Sequence, residues 1–287
     1  MKILLGDNMT FIRDIIMQED AVFIADSHFK QGDIKLIESF LEIPKGKQIF
    51  LMGDIFHLLV GALQSSQAQN EELIRVICEL SFNNEIIFIE GNHDFKLKYI
   101  WEQGTKTKLC FTKNLAHNVE YKPGNIRIYE YQMQPIILNN WKGDACILAH
   151  GDLWINPLYN TYRKILSSNI LIGIFRMLDK LSCGIIYRNV AYRVSQRMIG
   201  EFSFYRSDFR EFMLERIMQY QKHIILPLTR DKKSIYNNFC IIEGHFHIGK
   251  SIEQDNIQYV ALPSSYFTKT YTLITKVGND NGQRKKC

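Results

Sequence analysis

The sequence predicts an α/β chain in which short buried strands carry polar residues at their C-terminal tips. Three observations predict it. Runs of four or five aliphatic, aromatic or β-branched residues recur along the 287-residue chain, bounded by glycine or polar residues. Apolar residues at helical spacing separate the early runs. Later runs, beyond residue 239, are placed to close the fold. Strand, polar tip and helix in repetition mark an α/β domain whose chemistry gathers at the carboxyl ends of its strands.

In chain order, residues 1–19 read as a short strand or turn followed by a helix-like segment over 11–17. Residues 21–25 form a buried strand ending in Asp26-Ser27-His28. Helical spacing over 33–41 puts Ile34, Ile37 and Phe40 on one face. The strand 48–52 ends in Gly53-Asp54, and a helix follows at about 67–82. The strand in 85–94 is β-branched and aromatic, and Gly91 turns it into Asn92-His93-Asp94. Residues 95–135 are mixed, with a strand at 126–131. The strand 145–149 ends in His150-Gly151-Asp152. After a long helical stretch, 239–242 leads into Gly244-His245-Phe246-His247. Strands at 257–262 and 271–274 close the chain, and a polar, lysine-rich tail frays.

Composition narrows the class. Forty-six per cent apolar and 23% charged residues are ordinary for a globular domain, so one large sandwich or barrel suffices. A net charge of +5 is too small to indicate nucleic acid by itself. Six cysteines without a CxxC pair fit a reducing compartment, and Cys78, Cys146 and Cys240 sit in apolar runs as small core residues. No stretch approaches the ~18 apolar residues of a membrane span, and the first residues, broken after three apolar ones, are not expected to act as a cleavable leader. The expectation is a cytoplasmic protein with peripheral contact at the inner face of a membrane.

The tips carry Asp26, His28, Asp54, Asn92, His150, His245 and His247. Taken singly, Asp-x-His or Gly-Asp is a surface turn, and a histidine after an apolar strand is a core or edge residue. Gly-His-x-His is stronger, because alternate residues of an extended segment face one side. Together, carboxylates, imidazoles and an amide oxygen suit divalent manganese, iron or zinc. The absence of cysteine argues against a thiolate zinc site. Seven candidates exceed one tetrahedral ion and suit two ions about 3.5–4 Å apart sharing a carboxylate, a device for displacement at phosphorus.

The ordered series Asp26-x-His28, Gly53-Asp54, Gly91-Asn92-His93-Asp94, His150-Gly151-Asp152 and Gly244-His245-x-His247 resembles the calcineurin-like metallophosphoesterase superfamily. The resemblance implies a single domain over 1–287, a four-layer, two-sheet β-sandwich flanked by helices. It implies two divalent cations, manganese first with iron or zinc as alternatives. Asp26, His28, Asp54 and His247 would hold one; Asp54, Asn92, His150 and His245 the other. It also implies that His93 stabilises developing charge or protonates the leaving group, with Asp94 orienting it.

Residues 153–225 form an inserted helical lid. Over 153–199 seven basic residues face the single acid Asp179, a local +6 amid aliphatic bulk. A basic, apolar insert beside a metal site suits an anionic amphiphile or a membrane surface; the plain alternative is an amphipathic helix pair packed on the sandwich. Tyr159-Asn160-Thr161-Tyr162-Arg163 is similar to the lid start of the UDP-2,3-diacylglucosamine hydrolases of lipid A biosynthesis. Gly53-Asp54-Ile55-Phe56 and the Gly91–Phe95 run (Gly-Asn-His-Asp-Phe) resemble the same group. That likeness implies cleavage to UMP and 2,3-diacylglucosamine 1-phosphate, with Tyr159 and Arg163 binding substrate. The chain departs from the group at His93, where arginine is usual, and at His57, where an acid is usual; His57 reads as structural or as a second layer behind the ligands. His117 and His223 receive no role. A nucleic-acid phosphodiesterase shares the tips but lacks evident aromatic–basic interleaving, and a non-catalytic scaffold has no need of the full ligand set.

Overall fold

A computed structural model describes residues 10–101, 124–200, 208–230, 236–274 and 278–279. The first half runs β1 (Thr10–Met17), β2 (Val22–Ile24), α1 (Ile34–Leu41), β3 (Gln48–Leu51), β4 (Leu59–Val60), α2 (Gln64–Gln69), α3 (Glu71–Leu80), β5 (Glu85–Ile89), β6 (Asp94–Phe95) and α4 (Lys98–Trp101). The second half runs β7 (Ile126–Tyr129), β8 (Ile136–Asn140), β9 (Ala145–Ala149), α5 (Pro157–Leu166), α6 (Asn169–Leu181), α7 (Ile185–Ser195), α8 (Phe209–Tyr220), α9 (Leu226–Arg230), β10 (Phe239–Glu243), β11 (Lys250–Gln254), β12 (Ile257–Ala261), α10 (Ser265–Thr268), β13 (Thr272–Leu273) and β14 (Gly278–Asn279).

Two sheets result. One has the order β1-β8-β9-β10-β12-β11-β14, the other β13-β2-β3-β5-β7. Both central strand groups, β2-β3-β5-β7 and β9-β10-β12, pair in parallel, which is why their sequences are continuous apolar runs rather than alternating ones. The period-two geometry of each strand then splits the side chains between two cores. Phe23, Phe50, Met52 and Ile87 of one sheet meet Leu138, Leu148, Ile242 and Val260 of the other. The opposite faces of the same strands, Ile24, Leu51, Ile86 and Phe88, pack on Leu36, Phe40, Leu73 and Ile77 of α1 and α3. Ile147, Ile241 and Tyr259 pack on Phe212, Met213 and Ile217 of α8. The layers are therefore helix, sheet, sheet, helix.

Three sequence expectations change. Residues 11–17 are strand, not helix: β1 lies parallel to β8 at the sheet edge, with a register shift between Phe11 and Ile16. The bulge leaves Ile12 and Ile15 buried with exposed Arg13 and Asp14 between them, a spacing of three that imitates a helix. The insert over 153–225 also divides. Helices α5–α7 sit at the strand tips, with Ile172, Tyr187 and Ala191 on Val60, Leu63 and Phe95, whereas α8 belongs to the outer layer of the sandwich. The helix expected over 67–82 is two, α2 and α3. Tail residues beyond 279 lie outside the described residues, as does His117.

Candidate metal centre

The five tips converge. β2, β3 and β5 deliver Asp26 and His28, Asp54 and Asn92; β9 and β10 deliver His150, His245 and His247 from the facing sheet. Five of these seven side chains stand on left-handed backbone: φ is 50° at Asp26, 43° at His28, 52° at Asp54, 64° at His245 and 55° at His247. Left-handed non-glycine residues are strained and concentrate at functional sites. Gly91 is required by contact: a Cβ there would collide with the Asp54 carboxylate and backbone nitrogen. Gly53 (φ +86°) would likewise strike the His150 ring.

Among the described residues, ligand-type atoms gather in three groups, each within 4.8 Å: Asp26, His28 and His247; Asp54, His150 and His245; and His28, His57 and His93. Backbone carbonyls set the tautomers. His150 Nδ1 lies 2.9 Å from the Met52 carbonyl and must donate to it, so Nε2 presents a lone pair inward. That Nε2 faces Asn92 Oδ1 at 3.2 Å, His245 Nδ1 at 3.2 Å and Asp54 Oδ2 at 3.5 Å. His247 Nδ1 donates to the Gly200 carbonyl at 2.8 Å, leaving Nε2 toward Asp26 Oδ1 at 3.5 Å. Acceptors crowded on acceptors, with Asp26 Oδ1 and His28 Nδ1 buried and without a hydrogen bond, are an arrangement that a cation would satisfy. The residues present fit divalent ions.

The electrostatics carry the same message. Burial drives His28 down to about 3 and His245 to about 4, keeping both neutral and able to ligate. His150 is pulled the other way: burial opposes charge, but the Asp54 carboxylate raises it to about 10. Asp54 is held well below the usual carboxylate range, burial being outweighed by His150 and His93. The carboxylate charge that favours a proton on His150 would equally favour a cation there.

His93 and Asp94 divide their expected work. His93 Nδ1 donates to the His57 carbonyl at 2.6 Å, so His57, not Asp94, orients the ring. Asp94 is fully buried and accepts four backbone N–H groups: Asp54 (3.0 Å) and Gly91 (2.8 Å) on one oxygen, Ile55 (2.6 Å) and Phe56 (3.2 Å) on the other. It braces the loops that carry Asp54 and Asn92. Burial, then repulsion from Asp54, pushes its carboxyl up to about 7 against those hydrogen bonds.

The two lid residues singled out in the sequence are also braces. Arg163 is completely buried, with Nε 2.7 Å from Asp152 Oδ2, Nη2 donating to the Gly91 carbonyl at 2.7 Å, and its guanidinium 4.5 Å over the Tyr131 ring. Tyr159 donates its hydroxyl to the same Asp152 oxygen at 3.1 Å. Arg163 is closed to a substrate in this structure and Tyr159 is half-buried; both fasten α5 to the tips.

Three supports stand behind the ligands; sequence reasoning missed Gln134 and Arg216 and read His57 as structural or as a second layer. Gln134 accepts from His150 N at 2.9 Å and donates to the Glu90 carbonyl at 2.7 Å. Arg216 of α8 pairs with Glu243 and donates to the carbonyls of Leu153 (2.9 Å) and Gly151 (3.3 Å), tying the His150 and His245 tips together from behind. His57 Nε2 donates to the Val194 carbonyl of α7 at 3.1 Å. The only signal for Arg216 and Glu243 was a charged residue inside an apolar run.

A sequence model of the calcineurin-like phosphoesterases matches residues 21–171, more than half of the chain and four of the five tips. The chain belongs to that family. This phosphoesterase is accordingly a metal-dependent hydrolase, as the ligand groups at its tips require. No curated protein sequence matches the chain. Among solved structures, a phosphopantetheinyl hydrolase from Mycobacterium tuberculosis is 12% identical over 91% of both chains, with a TM-score of 0.32; at that value the likeness carries no argument.

Proposed function

We propose that the phosphoesterase hydrolyses the pyrophosphate bond of UDP-2,3-diacylglucosamine, releasing UMP and 2,3-diacylglucosamine 1-phosphate. One observation carries this: the lid helices fastened to the metal tips leave a surface both apolar and basic. On α5–α7 and just beyond, Leu158, Ile165, Ile170, Leu181, Tyr192 and Met198 are each more than half exposed. Lys164, Arg176, Lys180, Arg188, Arg193 and Arg197 are exposed among them. Apolar groups in that number, left beside a phosphoryl site, suit acyl chains, each buried methylene contributing about 0.8 kcal/mol. The bases suit the anionic part of such a substrate. No helix among the described residues is long and apolar enough to cross a membrane, so contact with lipid would be made through this surface.

Asp26, His28, Asp54 and His247 would hold one divalent ion and Asp54, Asn92, His150 and His245 the other, manganese being the first choice. Bound ions supply charge neutralisation at the phosphoryl oxygens and a water acidic enough to attack at neutral pH. The protein's own part is placement and proton transfer. Asp94, Gln134 and Arg216 hold the ligand loops in register. His93, anchored through Nδ1–H on the His57 carbonyl, carries its second proton on Nε2 when charged and hands it to the leaving oxygen.

The test is UMP release with Mn²⁺ from UDP-diacylglucosamine, beside UDP-N-acetylglucosamine and a generic phosphodiester. Strong preference for the acylated substrate is expected. Equal turnover of all three would remove the lid from substrate selection, and preference for a nucleic-acid phosphodiester would replace the substrate class.

A further inference from the structure

His57 has no place in the two ligand sets above, yet its side chain is built as theirs are. Ligating histidines donate the far ring N–H to a carboxylate or carbonyl, which fixes the tautomer and aims the other nitrogen. His150 does this to Met52 and His247 to Gly200. His93 does it to His57 and His57 does it to Val194. The consequence for His57 is a lone pair on Nδ1, and that atom is buried without a hydrogen-bond partner. His28 Nδ1 is buried and unpartnered too. The rings lie together, with centroids 4.9 Å apart for His28–His93, 5.7 Å for His57–His93 and 5.8 Å for His28–His57. Their ligand atoms fall within 4.8 Å of one another.

We propose that His28, His57 and His93 form a third cation position, roofed by the C-terminal end of α7, whose occupancy inhibits the enzyme. Three imidazoles without a carboxylate select a borderline ion such as Zn²⁺ over Mg²⁺ or Mn²⁺. An imidazole has two ring nitrogens, so His28 can face both this position and the Asp26 group. Inhibition follows from proton bookkeeping. An ion on His93 Nε2 occupies the atom that carries the proton for the leaving group, so ligation and proton donation exclude each other. The lid enters through Val194, whose carbonyl holds His57 in the ligating tautomer.

The proposal rests on the metal centre and not on the identity of the substrate. The experiment counts Zn²⁺ bound to chelated, full-length protein by equilibrium dialysis, for the wild type and for His57→Gln, whose side-chain amide can still donate to Val194. Three equivalents in the wild type and two in the variant are expected, together with loss of wild-type turnover in excess Zn²⁺ that the variant resists. Two equivalents in the wild type would overturn the third position and leave the two-ion centre standing. None would overturn both. Three in both proteins would remove His57 from the site. The wild-type count decides the matter even if the variant fails to fold.

Discussion

His93 and Asp94 are adjacent in the chain, yet the fold sends their side chains to different partners, and their substitutions separate accordingly. His93→Gln should lower kcat by about 10²–10⁴-fold, the usual worth of a placed acid, with the Mn²⁺ held by the two main ligand sets unchanged. Asp94→Ala removes the acceptor of four backbone N–H groups and should weaken metal binding about 10–100-fold, as loss of a supporting partner does; metal titration of both variants checks the contrast. Glu90 gives a pH signature. Burial, with repulsion from Glu130 and Asp94, raises it from 4.5 to about 8. The folded state then holds a proton that the unfolded chain has released, so stability should fall as pH rises from 4.5 to about 8. Glu90's own share of that slope approaches about 1.4 kcal/mol per pH unit in metal-free protein. Glu90→Gln should flatten that slope; an unchanged profile would show that another group titrates.

At the scale of elements, the strand tips were the most legible feature and the edges the least. Each tip follows a buried parallel strand whose run of β-branched residues leaves little doubt of its type, and glycine marks the turn. β1 misled because its bulge places buried residues three apart, which only pairing with β8 explains. The lid's extent was also obscured. α8 has apolar residues on more than one side because it packs on the sheet while sending Arg216 to Glu243, and neighbouring sequence does not reveal a partner 27 residues away. That pair is fully desolvated and joined by Tyr220 and Tyr259, each donating to Glu243 at 2.6 Å. Arg216→Met should therefore destabilise by about 3–5 kcal/mol, since it strands a buried carboxylate. Adding Glu243→Gln should recover part of the loss. Denaturant unfolding of the single and double variants measures both.

Across the whole molecule, the ligand set depends on two sheets that meet face to face. Asp26, Asp54 and Asn92 come from one sheet, His150, His245 and His247 from the other, so the site exists only while the inter-sheet core is packed. Phe23 and Phe50 stack in that core at 4.8 Å. Phe50→Ala should cost about 3–5 kcal/mol and lower metal affinity with it, although neither ring touches a ligand. The order of the tips was readable from sequence; the sheet each strand joins was not, because apolar runs in the two sheets are alike. The central claim is that two ions, shared through Asp54, make the phosphoesterase active. It is tested most directly by titrating Mn²⁺ into chelated protein while following hydrolysis of a generic phosphodiester and the bound metal together. Activity should be absent without metal and should return only as the second equivalent binds. Full activity after chelation, or full recovery at one equivalent, would contradict it.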